Sequence, residues 1–346
     1  MKYRIFISII VLGSSLLFCQ CSDKKAVDLQ VNEAEKKVDV TIDGKLFTSY
    51  IYPDNIKKPV LWPVMSQAGN MLTRSYPMIK KEGERVDHRH HIGIWLNYGD
   101  VNGLDFWNNA ELMASEKRHL YGSIFHKTIE KAESRNGSAL LVTTAEWKSP
   151  DNILMLVEQT SFNFIARENV RIIDRITTLK AVIDEVKFRD DKEGMFGIRV
   201  ARELELPSEK PVKLTKANGE VDEVEKIDSQ FVNGNYRSSE GIEGKEAWGT
   251  RGRWMKLGGE IKGETAVIVI IDHPSNVGYP TYWHARDYGL FAANPLGQKI
   301  FSKGKNELNF SLKKGESVTF KYRLVVAAEN LNDDQINKLA DEYSKI

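Results

Sequence analysis

The chain has 346 residues, of which 41% are hydrophobic, 28% charged and 10% aromatic. A chain of this size buries about 75% of the surface it exposes when unfolded, so the composition supports a large apolar core and argues against intrinsic disorder. Its 49 basic and 48 acidic residues nearly cancel, which argues against a nucleic-acid binder, and its two cysteines cannot build a disulfide framework or a four-cysteine zinc site.

The first residues read as an address. Lys2 and Arg4 precede an apolar run of fourteen residues, Ile5 to Phe18, which fits a signal-peptide core and is short for a membrane span. Cys19 and Cys21 end that run, and the stretch is similar to a bacterial lipoprotein signal, in which a cysteine is lipidated and becomes the mature N-terminus. Cys21 is the expected lipidation site, because a polar Ser-Asp-Lys-Lys segment follows it. Phe18 or Gln20 stands where such signals usually carry a small residue, and a plain secretory signal is the alternative. On this reading residues 1–21 are the lipoprotein signal, 22–36 a flexible tether and 37–346 a single domain. Loss of Lys2 and Arg4 leaves 47 basic against 48 acidic residues. The expected location is the cell envelope, lipid-anchored, periplasmic or surface-exposed, with the membrane touched only through the lipid.

The body reads as mostly strand. Val38 to Ile42 alternates, Asp43-Gly44 follows, and Lys45 to Tyr52 resumes, which is a strong hairpin signal. Further strands are expected over 122–129, 139–147, 156–166, 170–179 and 182–188, with Phe162, Phe164 and Ala166 on one face at period two. Later ones are expected over 196–201, 266–271, 289–293, 308–312 and 318–327. Many short strands with turn residues between them predict an all-β fold, a large antiparallel β-sandwich. Residues 208–252, rich in Gly, Lys, Glu and Ser, read as a long excursion, a lid or a rim. A C-terminal helix is predicted over 333–344, with Asn332 as N-cap, Asp333-Asp334 in the first turn and Ile336, Leu339 and Tyr343 on the docking face.

The chemistry concentrates in five blocks. Asp87-His88-Arg89-His90-His91 holds three of the seven histidines. If extended, it sends His88 and His90 to one face and His91 to the other; if bent at Gly93, all three approach one cavity. Imidazoles suit proton transfer near neutral pH, and His88 and His90 at i and i+2 suit a divalent metal if one is present. The loop from Asn97 to Asn109 is dense in Asn, Asp and Gly, the residues that bind sugar hydroxyls and also the residues that form turns. Asn97 and Asn102 are candidate sugar ligands, Asp105 a candidate acid and Trp107 a stacking surface. In the third block Asp190, Glu193 and Arg199 are candidates, because glycoside chemistry uses one protonated and one ionised carboxyl; Asp191 and Lys192 read as a solvated turn. Trp248 and Arg251 in the fourth block suit ring stacking and carboxylate binding. The fifth block brings Tyr282, His284, Arg286 and Asp287 together beside aromatics. No dinucleotide, phosphate-loop, zinc-protease or nucleophile-elbow motif is present, so no nucleotide cofactor is expected.

The blocks 87–95, 99–107 and 282–289, with Ala293-Asn-Pro295, resemble the PmoA-like family of secreted bacterial proteins over roughly residues 38–327. Relatives often carry proline between the first two histidines, where this chain has Arg89. The methane mono-oxygenase subunit that lends the family its name is a multi-helix membrane protein, and its activity is not carried over. What the resemblance implies is a role in sugar utilisation. The strand-rich pattern is also similar to the galactose-mutarotase-like supersandwich, where histidines and a carboxylate act at a sugar's anomeric centre.

The expected function is that of an envelope lipoprotein acting on carbohydrate, by glycoside hydrolase or lyase-type chemistry, or by epimerisation. His88, His90, His91 and His284 would be acid/base groups or metal ligands, Asp105, Asp190 or Glu193 the carboxylates, and Arg199 and Arg286 the holders of hydroxyls or negative charge. The alternative is a non-catalytic glycan-binding lipoprotein of a sugar-utilisation system.

Overall fold

The computed structural model describes residues 25–111 and 113–346; Cys21 and the signal segment lie outside them. The described chain is mostly antiparallel β. β1 (Ala26–Asn32), β2 (Lys37–Ile42) and β3 (Lys45–Ile51) open it, followed by β4 (Val60–Val64) and β5 (Ile94–Tyr98). Four long strands come next: β6 (Ser123–Asn136), β7 (Ser138–Lys148), β8 (Leu154–Ala166) and β9 (Val170–Ala181). β10 (Glu185–Phe188) leads to β11 (Gly194–Arg199), and β12 (Val212–Thr215), β13 (Val221–Val224) and β14 (Asn235–Ser238) occupy the excursion. β15 (Trp254–Ile261), β16 (Glu264–Asp272), β17 (Tyr282–Ala285) and β18 (Leu290–Asn294) precede the short helix α1 (Gln298–Phe301). β19 (Phe310–Lys313), β20 (Ser317–Ala327) and helix α2 (Asp333–Tyr343) close the described chain.

One sheet contains 16 strands, in the order β14-β15-β16-β20-β9-β8-β7-β6-β1-β2-β3-β4-β5-β11-β18-β17. β1 joins its two arms: it pairs along nearly its whole length with β2 but meets β6 only at Ala26↔Asn136 and Val27↔Arg135. The arms lie face to face. Phe196 of β11 stacks on Tyr322 of β20 with centroids 5.0 Å apart, and Tyr50 of β3 meets Phe162 of β8 at 5.7 Å. The main apolar core fills the space between them, and its removal from water, at roughly 25 cal/mol per Å², is the dominant stabilising force.

Local signals account for many elements. Asp43 and Gly44 have φ of 50° and 74°, the mirror-image turn that matches strand twist, and the β2–β3 hairpin forms there as predicted. Phe162, Phe164 and Ala166 alternate into the core. The Asn332 side chain accepts from the Gln335 amide at 2.9 Å while the Gln335 side chain accepts from the Asn332 amide at 2.9 Å, a capping box that starts α2. Ile336, Ala340 and Tyr343 then pack on Ile172, Trp254 and Val269 across the outer face of one arm.

One expectation is corrected. Residues 26–32 are not a tether but strand β1, with Val27 buried in the core. Val27, Leu29 and Val31 alternate with Asp28, Gln30 and Asn32, and the polar set is the outward half of a strand. The excursion over 208–252 carries strands of its own. β12 and β13 pair over a small apolar cluster of Val212, Leu214, Ile227 and Val232, and β14 extends the large sheet beside β15.

A buried ion pair ties β9 to β20 beneath α2. Arg323 donates to both carboxylate oxygens of Asp174 at 2.7 and 2.8 Å, and its guanidinium lies 4.7 Å from the Tyr343 ring. Asp174→Asn leaves the buried guanidinium only the exposed Glu342 carboxylate, 3.7 Å away, and is expected to cost about 3–5 kcal/mol, read as a lower urea midpoint at constant m-value. An unchanged midpoint would show that the pair does not hold this layer together.

Candidate functional site

β5, β11, β18 and β17 are neighbours, and they send Leu96, Phe196, Ala293 and Trp283 into the main core. Their other face carries the site. The register Trp95↔Gly197, Gly197↔Ala292 and Ala292↔His284 places these four residues in one row across that face. Gly197 and Ala292 are small because the buried Trp95 and Trp107 rings pack over the middle of the row. A Cβ on Gly197 would come within 3.0 Å of Trp95 Cζ2 and 3.3 Å of Trp107 Cη2.

At one end of the row stands the histidine block. It turns rather than extends: His88 has a φ of 40° and the His91 amide donates to the His88 carbonyl at 2.9 Å. Gly93 completes the turn at φ 55°, where a Cβ would meet the Leu61 carbonyl oxygen at 2.1 Å. The three rings therefore gather, with centroids 4.2 to 5.7 Å apart, instead of alternating across a strand. Two buried guanidiniums hold the turn. Arg74 donates to Asp87 Oδ1 at 2.7 Å and to the His88 carbonyl at 2.8 Å, and Arg199 donates to the same Oδ1 at 2.8 Å. Burial pushes the Asp87 carboxyl up, but Arg199, the hydrogen bond from His88 and Arg74 outweigh it and hold it well below the usual carboxylate range. Behind them Arg85 donates to Glu205 at 2.6 Å, and burial pushes Glu205 up to about 7 against Arg85 and Arg199.

Arg199 also assigns a proton. A guanidinium only donates, so His91 Nδ1, 3.2 Å away, accepts, and the ring carries its hydrogen on Nε2. That Nε2 is buried with no partner among the described residues, as is Nε2 of His90. Burial first, then the surrounding cationic groups and neighbouring histidines, lowers both rings well below the ordinary histidine value, so both are neutral near pH 7. Tyr288, His88, His91 and Trp95 form a run of near-parallel rings with successive centroids 4.8, 5.0 and 5.1 Å apart. Arg199 and Arg286 lie 4.9 and 5.4 Å from the Tyr288 ring.

The other end of β11 is acidic. Glu193 Oε2 lies 3.8 Å from Nδ1 of His284, a buried atom with no hydrogen-bond partner among the described residues. Burial pushes His284 down to about 3, with Arg286 and Lys192 adding to the shift. Asp191 Oδ1 accepts from the Glu193 amide at 2.9 Å; burial, with the charges of Glu193 and Asp105, pushes this carboxyl up to about 6. Asp105 is raised by burial too, although it accepts from the Trp107 and Asn108 amides at 2.9 and 2.8 Å.

Lys58, which no sequence signal marked, sits beside the histidine turn. It is 4% exposed, its Nζ donates to the His90 carbonyl at 2.8 Å and lies 5.6 Å from the Trp95 ring. Lys58, His90, Arg89, Met78, Ile92 and Asn109 help line a cavity of about 120 Å³. Burial pushes the Lys58 amine down to about 7, and Asp105 opposes this only through its charge.

The structure thus brings together His88, His90, His91, Arg199 and Arg286 at one end and Glu193, His284 and Asp105 at the other. It adds Arg74, Asp87, Asp191, Lys58 and Tyr288, of which Asp87, Asp191 and Tyr288 lay inside quoted blocks, Asp191 having been read as part of a solvated turn. Several candidates are corrected. Trp107 is fully buried edge-on to Trp95, centroids 5.2 Å apart, and offers no stacking face. Asn97 is buried and donates to the Phe106 carbonyl at 2.6 Å, and Asn102 holds a turn through the Lys187 amide at 2.6 Å. Arg251 is spent on the carbonyls of Pro280 and Gly278. Asp190 caps α1 through the Lys299 and Ile300 amides, so the aspartate that meets Glu193 is the half-buried Asp191. Tyr282 and Trp248 pack around Phe301 behind His284, and Asp287 lies toward Lys245 at 4.0 Å. His88 and His90 meet edge to face at 5.7 Å, and no group of three or more metal-ligating side chains is found among the described residues.

A family model matches residues 37–341, and its description is a family of unknown function, DUF6807. The chain belongs to this family. The expected PmoA-like membership is corrected accordingly: the three blocks that carried the resemblance fall inside the DUF6807 span. No curated protein matches this DUF6807 chain. Among solved structures it is similar to the galactosidase domain of an alpha-galactosidase-sucrose kinase, at 9% identity and a TM-score of 0.43, covering 87% of this chain and 42% of that one. It is similar to a GH36 alpha-galactosidase of Geobacillus stearothermophilus, at 12% identity and 0.40, covering 88% and 42%. It is also similar to a putative aldose 1-epimerase of Escherichia coli K12, at 12% and 0.30, covering 89% and 100%. The DUF6807 chain spans about two fifths of the galactosidases' length. At these scores the reaction has to be argued from the site itself.

The lysine supplies a test of the site's electrostatics. Lys58 titrates near 7 when folded and near 10.5 when unfolded, so the unfolded chain binds the extra proton in between and stability rises with pH across that window. Lys58→Met is expected to raise Tm at pH 7 by about 2–4 °C and to flatten that rise, followed by calorimetry between pH 7 and 10. A lower Tm at pH 7 would show that the buried amine is held by a partner.

Proposed function

We propose that this chain is an enzyme acting on carbohydrate by acid–base chemistry at a sugar ring, by hydrolysis or by lyase-type elimination. The observation that carries this reading is the meeting of Glu193 and Asp191 beside the buried, unpartnered His284 Nδ1. Two carboxyls whose environments differ supply the two roles. Asp191, pushed up to about 6, is the group that gives a proton to the leaving oxygen. Glu193, held by Lys192, takes a proton from water or from the sugar ring, with His284 beside it to pass that proton on. The neutral His91 presents its Nε2–H as a donor to a substrate oxygen.

The test is product-resolved NMR on a panel of neutral and acidic oligosaccharides. Wild type is expected to turn over at least one, and Asp191→Asn and Glu193→Gln to lower kcat about 10²–10⁴-fold while still folding. Activity should fall as pH rises through about 6, where Asp191 loses its proton, and Asp191→Asn should remove that limb. Full activity in both variants would remove these carboxyls from the mechanism.

We also infer that the enzyme works at the cell envelope, held by a lipid on Cys21. The support is the basic start, the apolar run and the cysteine at its end. Cys21→Ala is expected to move the protein from the membrane to the soluble fraction of expressing cells. Undiminished membrane retention would defeat this reading.

A further inference from the structure

The cavity beside Lys58 is a second functional feature, outside the acid–base pair. Its lining is one-sided: Lys57, Lys58, Arg89 and His90 are basic or proton-carrying, and Glu111, on the exposed rim, is the one acid. Lys58 is buried, yet no carboxylate lies within ion-pair distance of it among the described residues. One of its three N–H groups is used by the His90 carbonyl, which leaves two for a ligand. His90 Nε2 is buried and unpartnered beside it. The nearby carboxylates are already engaged. Asp105 accepts from the Trp107 and Asn108 amides and from the Asn108 side chain at 2.8 Å, and Asp87 accepts from Arg74 and Arg199. A buried amine without a carboxylate partner gives up its proton readily, and a ligand carboxylate would restore the charge and supply the missing partner. Ile56, Met78 and Ile92 give the cavity an apolar wall suited to the carbon face of a ring. Lys58 lies over Trp95, at the end of the row opposite His284.

We propose that the Lys58–His90 cavity binds the carboxylate of an acidic sugar, so that the substrate is a uronate-containing glycan. This rests on the carbohydrate reading above and narrows it. Lys58 supplies the charge, and His90 supplies a hydrogen bond from Nε2 to one carboxylate oxygen. The rest of the glycan then extends toward the Asp191–Glu193 end.

The experiment is calorimetric titration of the intact protein with tri-galacturonate, with neutral galactotriose and with a sulfated galactotriose, using wild type, Lys58→Met and His90→Gln. Tri-galacturonate is expected to bind wild type at least about tenfold more tightly than galactotriose, and Lys58→Met to remove that advantage while leaving the neutral sugar unaffected. His90→Gln, which keeps a side-chain donor, is expected to lose less than Lys58→Met. Equal affinity for acidic and neutral sugars, no binding of tri-galacturonate, or an unchanged affinity in Lys58→Met each overturns the proposal. Equal binding of the sulfated sugar also overturns it, because the site would then recognise anions in general. Turnover of a neutral glycan without uronate preference leaves the acid–base reading standing and removes this one. Uronate binding lost in Lys58→Met, with no turnover of any glycan, does the reverse.

Discussion

One carboxylate oxygen organises the cationic end of this molecule. Asp87 Oδ1 accepts from Arg74 and from Arg199, and both guanidiniums are buried. Neither arginine tolerates burial without that charge, and the carboxylate is held ionised by them in turn. The consequence is geometric. Arg199 ends the central strand β11, while Arg74 also grips the carbonyls of Asp87 and His88. The histidine turn is thereby clamped onto the sheet, and the position and tautomer of His91 follow from the clamp.

The sheet then sets what the clamp faces. Antiparallel register puts Trp95, Gly197, Ala292 and His284 in one row, whose small middle residues take the Trp95 and Trp107 rings. Arginines lie at one end of β11 and carboxyls at the other. Such separation of charge in a partly dry place raises Asp191 and lowers His284, the condition under which acid–base chemistry runs near neutral pH. The same dryness makes Lys58 expensive to keep, which is why its lack of a partner carries meaning.

Much of the fold was legible because strand period and turn chemistry are local. The Asp43-Gly44 hairpin, the alternating β8 and the capped α2 all follow from residues within a few positions of each other. β1 was legible too, since Val27, Leu29 and Val31 alternate, but its polar partners resemble a solvated tether when nothing says which face is buried. Among the site residues the histidine block, Glu193 and His284 stood out by type and clustering. Trp107 and Asn97 stood out equally and turned out to be core and scaffold, because burial is not a property of residue type. Asp190 and Asp191 are adjacent and alike, and only the helix that needs a cap separates their roles.

Alone, the chain's order of residues determined the fold class, the clustering of the candidate residues and the absence of a nucleotide motif, because each depends on short-range pattern. Tertiary structure alone decided which ends of which strands meet. Arg74 and Arg199 are 125 positions apart in the chain and share one oxygen. Lys58 becomes a feature only when Trp95 and the His90 carbonyl close over it. The reason is physical: a charge acquires its chemistry from desolvation and from its neighbours, and in a sheet of non-local pairings those neighbours arrive from distant parts of the chain.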